Sequence, residues 1–227
     1  MAGSDASEMW REEYPDLYDY HNFAPFYREL VETAAGKFDA PRTVLDAGGG
    51  TGNLSERLRR RGNSVVLVDV SRGMVENARS KLGTAGVDYL QADLNAALPL
   101  AEGAVDGAAA LNVLYLLDSP ESFLGELSRV LPAGGTLVVS GPKPDPSVWP
   151  LLRPVLGKAV RNLSFSDLVG VMKSFRLQSR ITDELGDGDL HGLTEDDWRR
   201  YLEGAGFTVR EVEPIYEDQG YLVTAEA

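Results

Sequence analysis

Residues 43–58 read TVLDAGGGTGNLSERL. A β-branched and apolar run, Thr43–Asp46, ends in an aspartate. Glycines crowd the next turn, and a helical pattern starts at Leu54. Glycines without Cβ atoms let a ligand approach the backbone closely. A turn that feeds a helix N-terminus ordinarily attracts anions, so phosphate readings come first. A P-loop needs G-x-x-x-x-G-K-[ST], and no lysine is near. The dinucleotide fingerprint G-x-G-x-x-G puts Asn53 at its sixth position from Gly48 and Ser55 from Gly50, so the third glycine is missing. Asp46, directly beneath the turn, would repel a pyrophosphate and favour a nucleoside carrying an ammonium or sulfonium.

Outward from this stretch, short apolar runs alternate with helical patterns. Strands are expected at Thr43–Asp46, Ser64–Asp69, Val87–Gln91, Val105–Leu111 and Gly135–Ser140. Helices are expected at Leu54–Arg61, Gly73–Leu82 and Pro120–Leu131, the last with Ser119 as N-cap and Pro120 in its first turn. The rhythm is that of a parallel sheet with helices on both faces. Toward the C-terminus, LTEDDWRRYLEGAGF reads as a helix capped by Thr194. FTVREVEPIY and GYLVTAEA then read as two strands joined by a turn around Glu217–Gly220, too short for anything but an antiparallel pair.

The rhythm breaks between Gly141 and Gly192. This proline-led, amphipathic segment is expected to be a helical lid inserted before the last helix. It carries seven basic and two acidic residues over 141–180. The expected organisation is one domain over 1–227: a helical cap (1–40), a binding core (41–140), the lid (141–192), and a terminal helix with a strand pair (193–227).

The chain has 227 residues and a formal net charge of −13, which argues against a nucleic-acid partner. Cysteine is absent, excluding disulfides and thiolate metal sites. No signal-peptide pattern opens the chain and no run reaches the roughly 20 apolar residues of a membrane span. These features lead to the expectation of a cytoplasmic protein without a membrane partner.

D-A-G-G-G-T-G, Asp46 to Gly52, resembles the glycine motif of class I S-adenosylmethionine-dependent methyltransferases. The resemblance runs well over 41–140 and in outline from Leu193 onward. It implies a Rossmann-like α/β fold: a seven-stranded, mostly parallel sheet with an antiparallel last strand and helices on both faces. It also implies S-adenosyl-L-methionine as cofactor. Asp46, Gly48 and Gly50 map to the glycine motif, Asp69 to the residue on the ribose hydroxyls, and Met74 to the apolar residue against adenine. Asp93 and the Leu94 N–H map to the adenine edge. Asn112 maps to the position between the methionine moiety and the acceptor.

Methyl transfer is an in-line displacement in which positioning supplies much of the acceleration, and a base helps where the acceptor must lose a proton. His191 before the last helix, and His21 with Tyr18 in the aromatic N-terminal segment, are the catalytic candidates; Tyr14 and Tyr27 are further aromatic contacts. The acidic stretch DELGDGDLHG fails the EF-hand pattern, since position twelve from Asp187 is Trp198, so no metal is expected. The expected acceptor is a small molecule methylated on O, N or C. A cofactor-binding module without transfer and an NAD-dependent oxidoreductase are the alternatives. An apolar lid would also serve as an interface, making a homodimer the alternative to a monomer.

Overall fold

The computed structural model describes residues 25–40, 42–144 and 192–227. Seven strands form one sheet: β1 Thr43–Ala47, β2 Ser64–Asp69, β3 Val87–Gln91, β4 Gly107–Leu111, β5 Thr136–Pro142, β6 Thr208–Ile215 and β7 Gly220–Glu226. Their order is β3-β2-β1-β4-β5-β7-β6. The first five pair in parallel, and β7 runs antiparallel to both β5 and β6. The hairpin read from the short turn is therefore present, with β7 inserted between β5 and β6.

Among the described residues the α-helices are α1 Pro25–Gly36, α2 Asn53–Arg60, α3 Arg72–Leu82, α4 Pro120–Val130 and α5 Glu195–Gly204. Strand periodicity assigns their faces. Val44, Val65, Leu67, Ala109, Val138 and Leu222 point to one side, where Leu30 and Ala34 of α1, Leu58 of α2 and Ala78 of α3 cover them. Leu45, Val68, Ala108, Ala110, Leu137 and Val223 point to the other, against Phe123 and Leu127 of α4 and Trp198 and Leu202 of α5. Both faces are buried, which is why the parallel strands read as almost continuous apolar runs.

The helix ends follow local chemistry. Ser119 Oγ accepts from Ser122 N with Pro120 at the helix start, and Ser71 Oγ accepts from Met74 N. Thr194 and Asp197 form a reciprocal capping box on α5. The strand expected from Val105 begins at Gly107. Val105 N–H donates to Val130 O, and Asp106 spends its carboxylate on Thr43 N. Neither residue is in a strand, and the sheet starts where Gly107 leaves room for the Phe38 ring, 2.8 Å from where a Cβ would stand.

Candidate functional site

A parallel sheet whose strand order reverses opens a crevice beyond the carboxyl ends of the two strands at the reversal, and ligands of such folds bind there. Chain order runs outward from β1 to β2 and β3 on one side, and from β4 to β5 on the other. The crevice therefore lies between the loops after β1 and β4.

The glycine turn after β1 is stapled to β2. Gly48 N and Gly49 N both donate to Val68 O, at 2.8 and 3.1 Å, and Gly50 N donates to Asp69 Oδ2 at 2.9 Å. Gly48 has φ +70°, and a Cβ there would stand 2.6 Å from Val113 Cγ2 and 3.7 Å from Leu94 Cδ1. The missing side chain thus lets the loops after β1, β3 and β4 meet at one point.

Asp69, at the end of β2, accepts Gly50 N on Oδ2 and Ser71 N on Oδ1. Burial raises its pKa, against the lowering effect of these two donors. Each oxygen retains a second lone pair. Asp93, after β3, is exposed and accepts Asn95 N at 2.9 Å in a local turn. Its neighbour Leu94 and the first-turn residue Met74 are buried.

Asp46 is buried beneath the glycine turn. Its Oδ2 accepts both Ser55 N at 3.0 Å and Ser55 Oγ at 2.6 Å. The N-cap of α2 is Gly52, which has no side chain to offer. The carboxylate does the cap's work from the preceding strand, with its charge at the positive end of the helix. Burial still dominates and pushes its pKa up to about 6, with the Ser55 bonds opposing and the charge of Asp69 adding to the rise.

Asn112, after β4, has φ 58°. Its N–H donates to Ser140 O and Oγ, both at 3.1 Å, and its Nδ2 donates to Tyr216 Oη at 2.7 Å. Tyr216 and Ser140 were missed by sequence reasoning. The turn containing Tyr216 was visible, but nothing local says that its side chain reaches a residue 104 positions earlier. Tyr115, in the 3-10 turn Leu114–Leu116, has its pKa pushed up to about 12 by burial and secondarily by Tyr27.

The structure thus brings Asp46, Gly48, Gly50, Asp69, Asp93, Leu94 and Asn112 to the carboxyl ends of β1 to β4 or the turns that follow them, and Met74 to the first turn of α3 after β2. Tyr27 is buried on α1. His191, His21, Tyr18, Tyr14 and most of the expected lid lie outside the described residues. Among the described residues no group of three or more His, Cys, Asp or Glu could hold a metal, and no helix is long and apolar enough to cross a membrane.

The donor set suits a nucleoside bearing a cationic group: paired acidic acceptors at the β2 and β3 ends, a bare backbone cradle, and buried apolar side chains beside them. Residues 45–139 match the family described as "Methyltransferase domain". The demethylmenaquinone methyltransferase of Thermus thermophilus is 38% identical over 123 residues, 52% of this chain and 54% of that protein. The malonyl-[acyl-carrier protein] O-methyltransferase of Pectobacterium atrosepticum is 38% identical over 120 residues, 52% of this chain and 46% of that protein. The alignments with these curated relatives therefore span about half their length. Magnesium protoporphyrin IX methyltransferase from Synechocystis superposes with TM-score 0.67 at 17% identity, covering 97% of both chains. That structure shares the fold.

Proposed function

We infer that this chain, which belongs to the class I S-adenosylmethionine-dependent methyltransferases, binds that cofactor at the β1–β4 crevice and transfers its methyl group to a small-molecule acceptor. The observation that carries the reading is the meeting of three loops at Gly48, with Asp69 and Asp93 on the neighbouring strand ends.

Asp69 would hold the ribose hydroxyls through the lone pairs left free by Gly50 and Ser71. Asp93 and the Leu94 N–H would take the adenine edge, with Met74 on the ring face. Gly48 and Gly50 would admit the methionine moiety to the backbone, and Asn112 would stand at its reacting end. Asp46 would act through α2 by holding the turn's exit helix at Ser55. When bound, the cofactor supplies an electrophilic methyl group on a sulfonium. The chain's own part is to align acceptor and methyl, converting a bimolecular encounter into an effectively unimolecular one.

Tyr115 and Tyr216 both have raised pKa values. Near neutral pH they are hydrogen-bond donors, poorly suited to act as bases. On the described residues alone, this favours an acceptor that arrives already nucleophilic. The relatives named above are a demethylmenaquinone methyltransferase and a malonyl-[acyl-carrier protein] O-methyltransferase, and the net charge of −13 favours a small molecule over a nucleic acid.

Isothermal calorimetry with S-adenosylmethionine, S-adenosylhomocysteine and NAD tests the reading. The two sulfur nucleosides are expected to bind. Asp69→Asn is expected to weaken them at least tenfold, because one charged acceptor serving two backbone N–H groups and a ribose is neutralised. NAD binding without a response to either nucleoside would refute it.

A further inference from the structure

The β6–β7 turn holds three consecutive non-glycine residues at positive φ: Tyr216 at 55°, Glu217 at 52° and Asp218 at 69°. Left-handed backbone at such residues costs about 1–2 kcal/mol each, and strain of this kind persists only where surrounding structure enforces it. Here Gln219 N donates to Ile215 O at 3.0 Å, and Lys143 N donates to Gln219 O at 2.9 Å. Lys143 also pairs with Asp218, and its ammonium lies 4.6 Å from the Tyr221 ring centre.

The strained turn delivers one side chain to the crevice. Tyr216 Oη accepts from Asn112 Nδ2 at 2.7 Å, and Asn112 is itself a non-glycine residue at positive φ. Two strained positions 104 residues apart in the chain are thus locked to each other. Ser140 fixes the amide's orientation, since its Oγ donates to Asn112 Oδ1 at 3.4 Å. Phe26 fixes the phenol ring by an edge contact at 5.7 Å and 88°.

A phenol oxygen that accepts a hydrogen bond keeps its own hydrogen to donate. Among the described residues the Tyr216 hydroxyl bonds only to Asn112, as acceptor. Burial drives its pKa well above the usual phenol value, against the lowering effect of the Asn112 bond and with smaller contributions from Tyr27 and Tyr115. The group therefore remains a neutral donor. It stands on the β5–β7 side of Asn112, whereas Asp69 and Asp93 stand at the ends of β2 and β3. Neighbouring strands lie about 4.8 Å apart, so on the cofactor reading above the phenol would stand beyond Asn112 from the nucleoside.

We propose that Tyr216 contacts the methyl acceptor, its phenolic O–H, aimed by Asn112, donating a hydrogen bond to an oxygen beside the atom that is methylated. The site then takes acceptors with paired oxygens: a carboxylate, a catechol or an enolised dicarbonyl. One oxygen is held by the phenol while its partner, reaching the site as the anion, attacks the methyl carbon: the O–CH3 bond forms as the S–CH3 bond breaks and the neutral thioether leaves. This rests on the cofactor reading above.

The test titrates the full chain, saturated with S-adenosylhomocysteine, with 3,4-dihydroxybenzoate, malonate and, as a control without oxygen, benzylamine. At least one oxygen-bearing probe is expected to bind, and benzylamine is not. Tyr216→Phe, which keeps the ring and its Phe26 contact, is expected to weaken that probe about tenfold and leave S-adenosylhomocysteine affinity within twofold. Asn112→Asp gives a second route: the phenol would turn to donate to the new carboxylate, and probe affinity is expected to fall by a similar factor. Probe affinity unchanged in Tyr216→Phe, an equal loss of nucleoside affinity, binding of benzylamine alone, or binding of no probe would each overturn the proposal. Failure of the unmodified chain to bind S-adenosylhomocysteine would instead overturn the cofactor reading.

Discussion

Replacing Asp46 by Asn is expected to make the protein more stable at neutral pH, although it removes a buried, hydrogen-bonded carboxylate. Burial moves the Asp46 pKa from 3.8 to about 6. That is about two units at ~1.4 kcal/mol each, so holding the ionised group in the folded state costs about 3 kcal/mol. The sign follows from proton linkage. Below about pH 4 the group is protonated in both states and costs nothing. Between about pH 4 and 6 the unfolded chain has released its proton while the folded one retains it, so stability falls as pH rises. Above about pH 6 the whole penalty is present. Asn keeps a carbonyl for Ser55 N and Oγ, but its amide hydrogens need an acceptor, which returns about 1 kcal/mol. The net gain is about 2 kcal/mol at pH 8, a rise in Tm of about 4–8 °C for a chain of this size. It should vanish at about pH 4.5, where the remaining penalty equals the ~1 kcal/mol amide cost, and change sign below that. Thermal melts of both proteins across pH 4–8 measure it. A variant no more stable at pH 8, or a gap that does not change with pH, would refute the reasoning. The same variant separates two roles for the charge. If it acts on α2, affinities for the sulfonium nucleoside and its neutral thioether product change by the same factor. If it acts on the sulfonium, only the former drops.

Gly48→Ala combines positive φ with a Cβ 2.6 Å from Val113 Cγ2. It is expected to cost about 2–3 kcal/mol by urea unfolding. Adding Val113→Ala should recover about 1 kcal/mol of that as a coupling energy in a double-mutant cycle, and strict additivity would show that the two loops do not press on each other. Thr194→Ala opens the capping box that starts α5 and should cost about 1 kcal/mol, or about 2–4 °C in Tm. No change in Tm would mean that α5 is held by Trp198 and Leu202 alone.

The strand–turn–helix at 43–58, the alternation of elements and the antiparallel C-terminal pair were all legible in the chain. Each depends on signals within a dozen residues: apolar periodicity, N-cap side chains such as Ser119 and Thr194, and turns too short to cross a sheet. The positions of Asp69, Asp93 and Asn112 were legible for the same reason, since each closes or follows a readable strand. The start of β4 was misplaced by two residues. Val105 and Asp106 directly precede the apolar run, but their hydrogen-bonding groups are taken by Val130 and Thr43, partners that periodicity does not register.

What the chain alone determined is therefore which residue types stand at the ends of which strands. Tertiary structure decided where their polar atoms point. The sequence put a carboxylate at position 46 under the glycine turn; folding turned it onto Ser55, because Gly52 left the first turn of α2 without a cap. The sequence put a tyrosine in a tight turn; folding set it against Asn112, because inserting β7 between β5 and β6 brings that turn to the carboxyl end of β5. The second orientation joins residues 104 positions apart, and the first depends on which donor the folded turn presents to the carboxylate; apolar periodicity records neither.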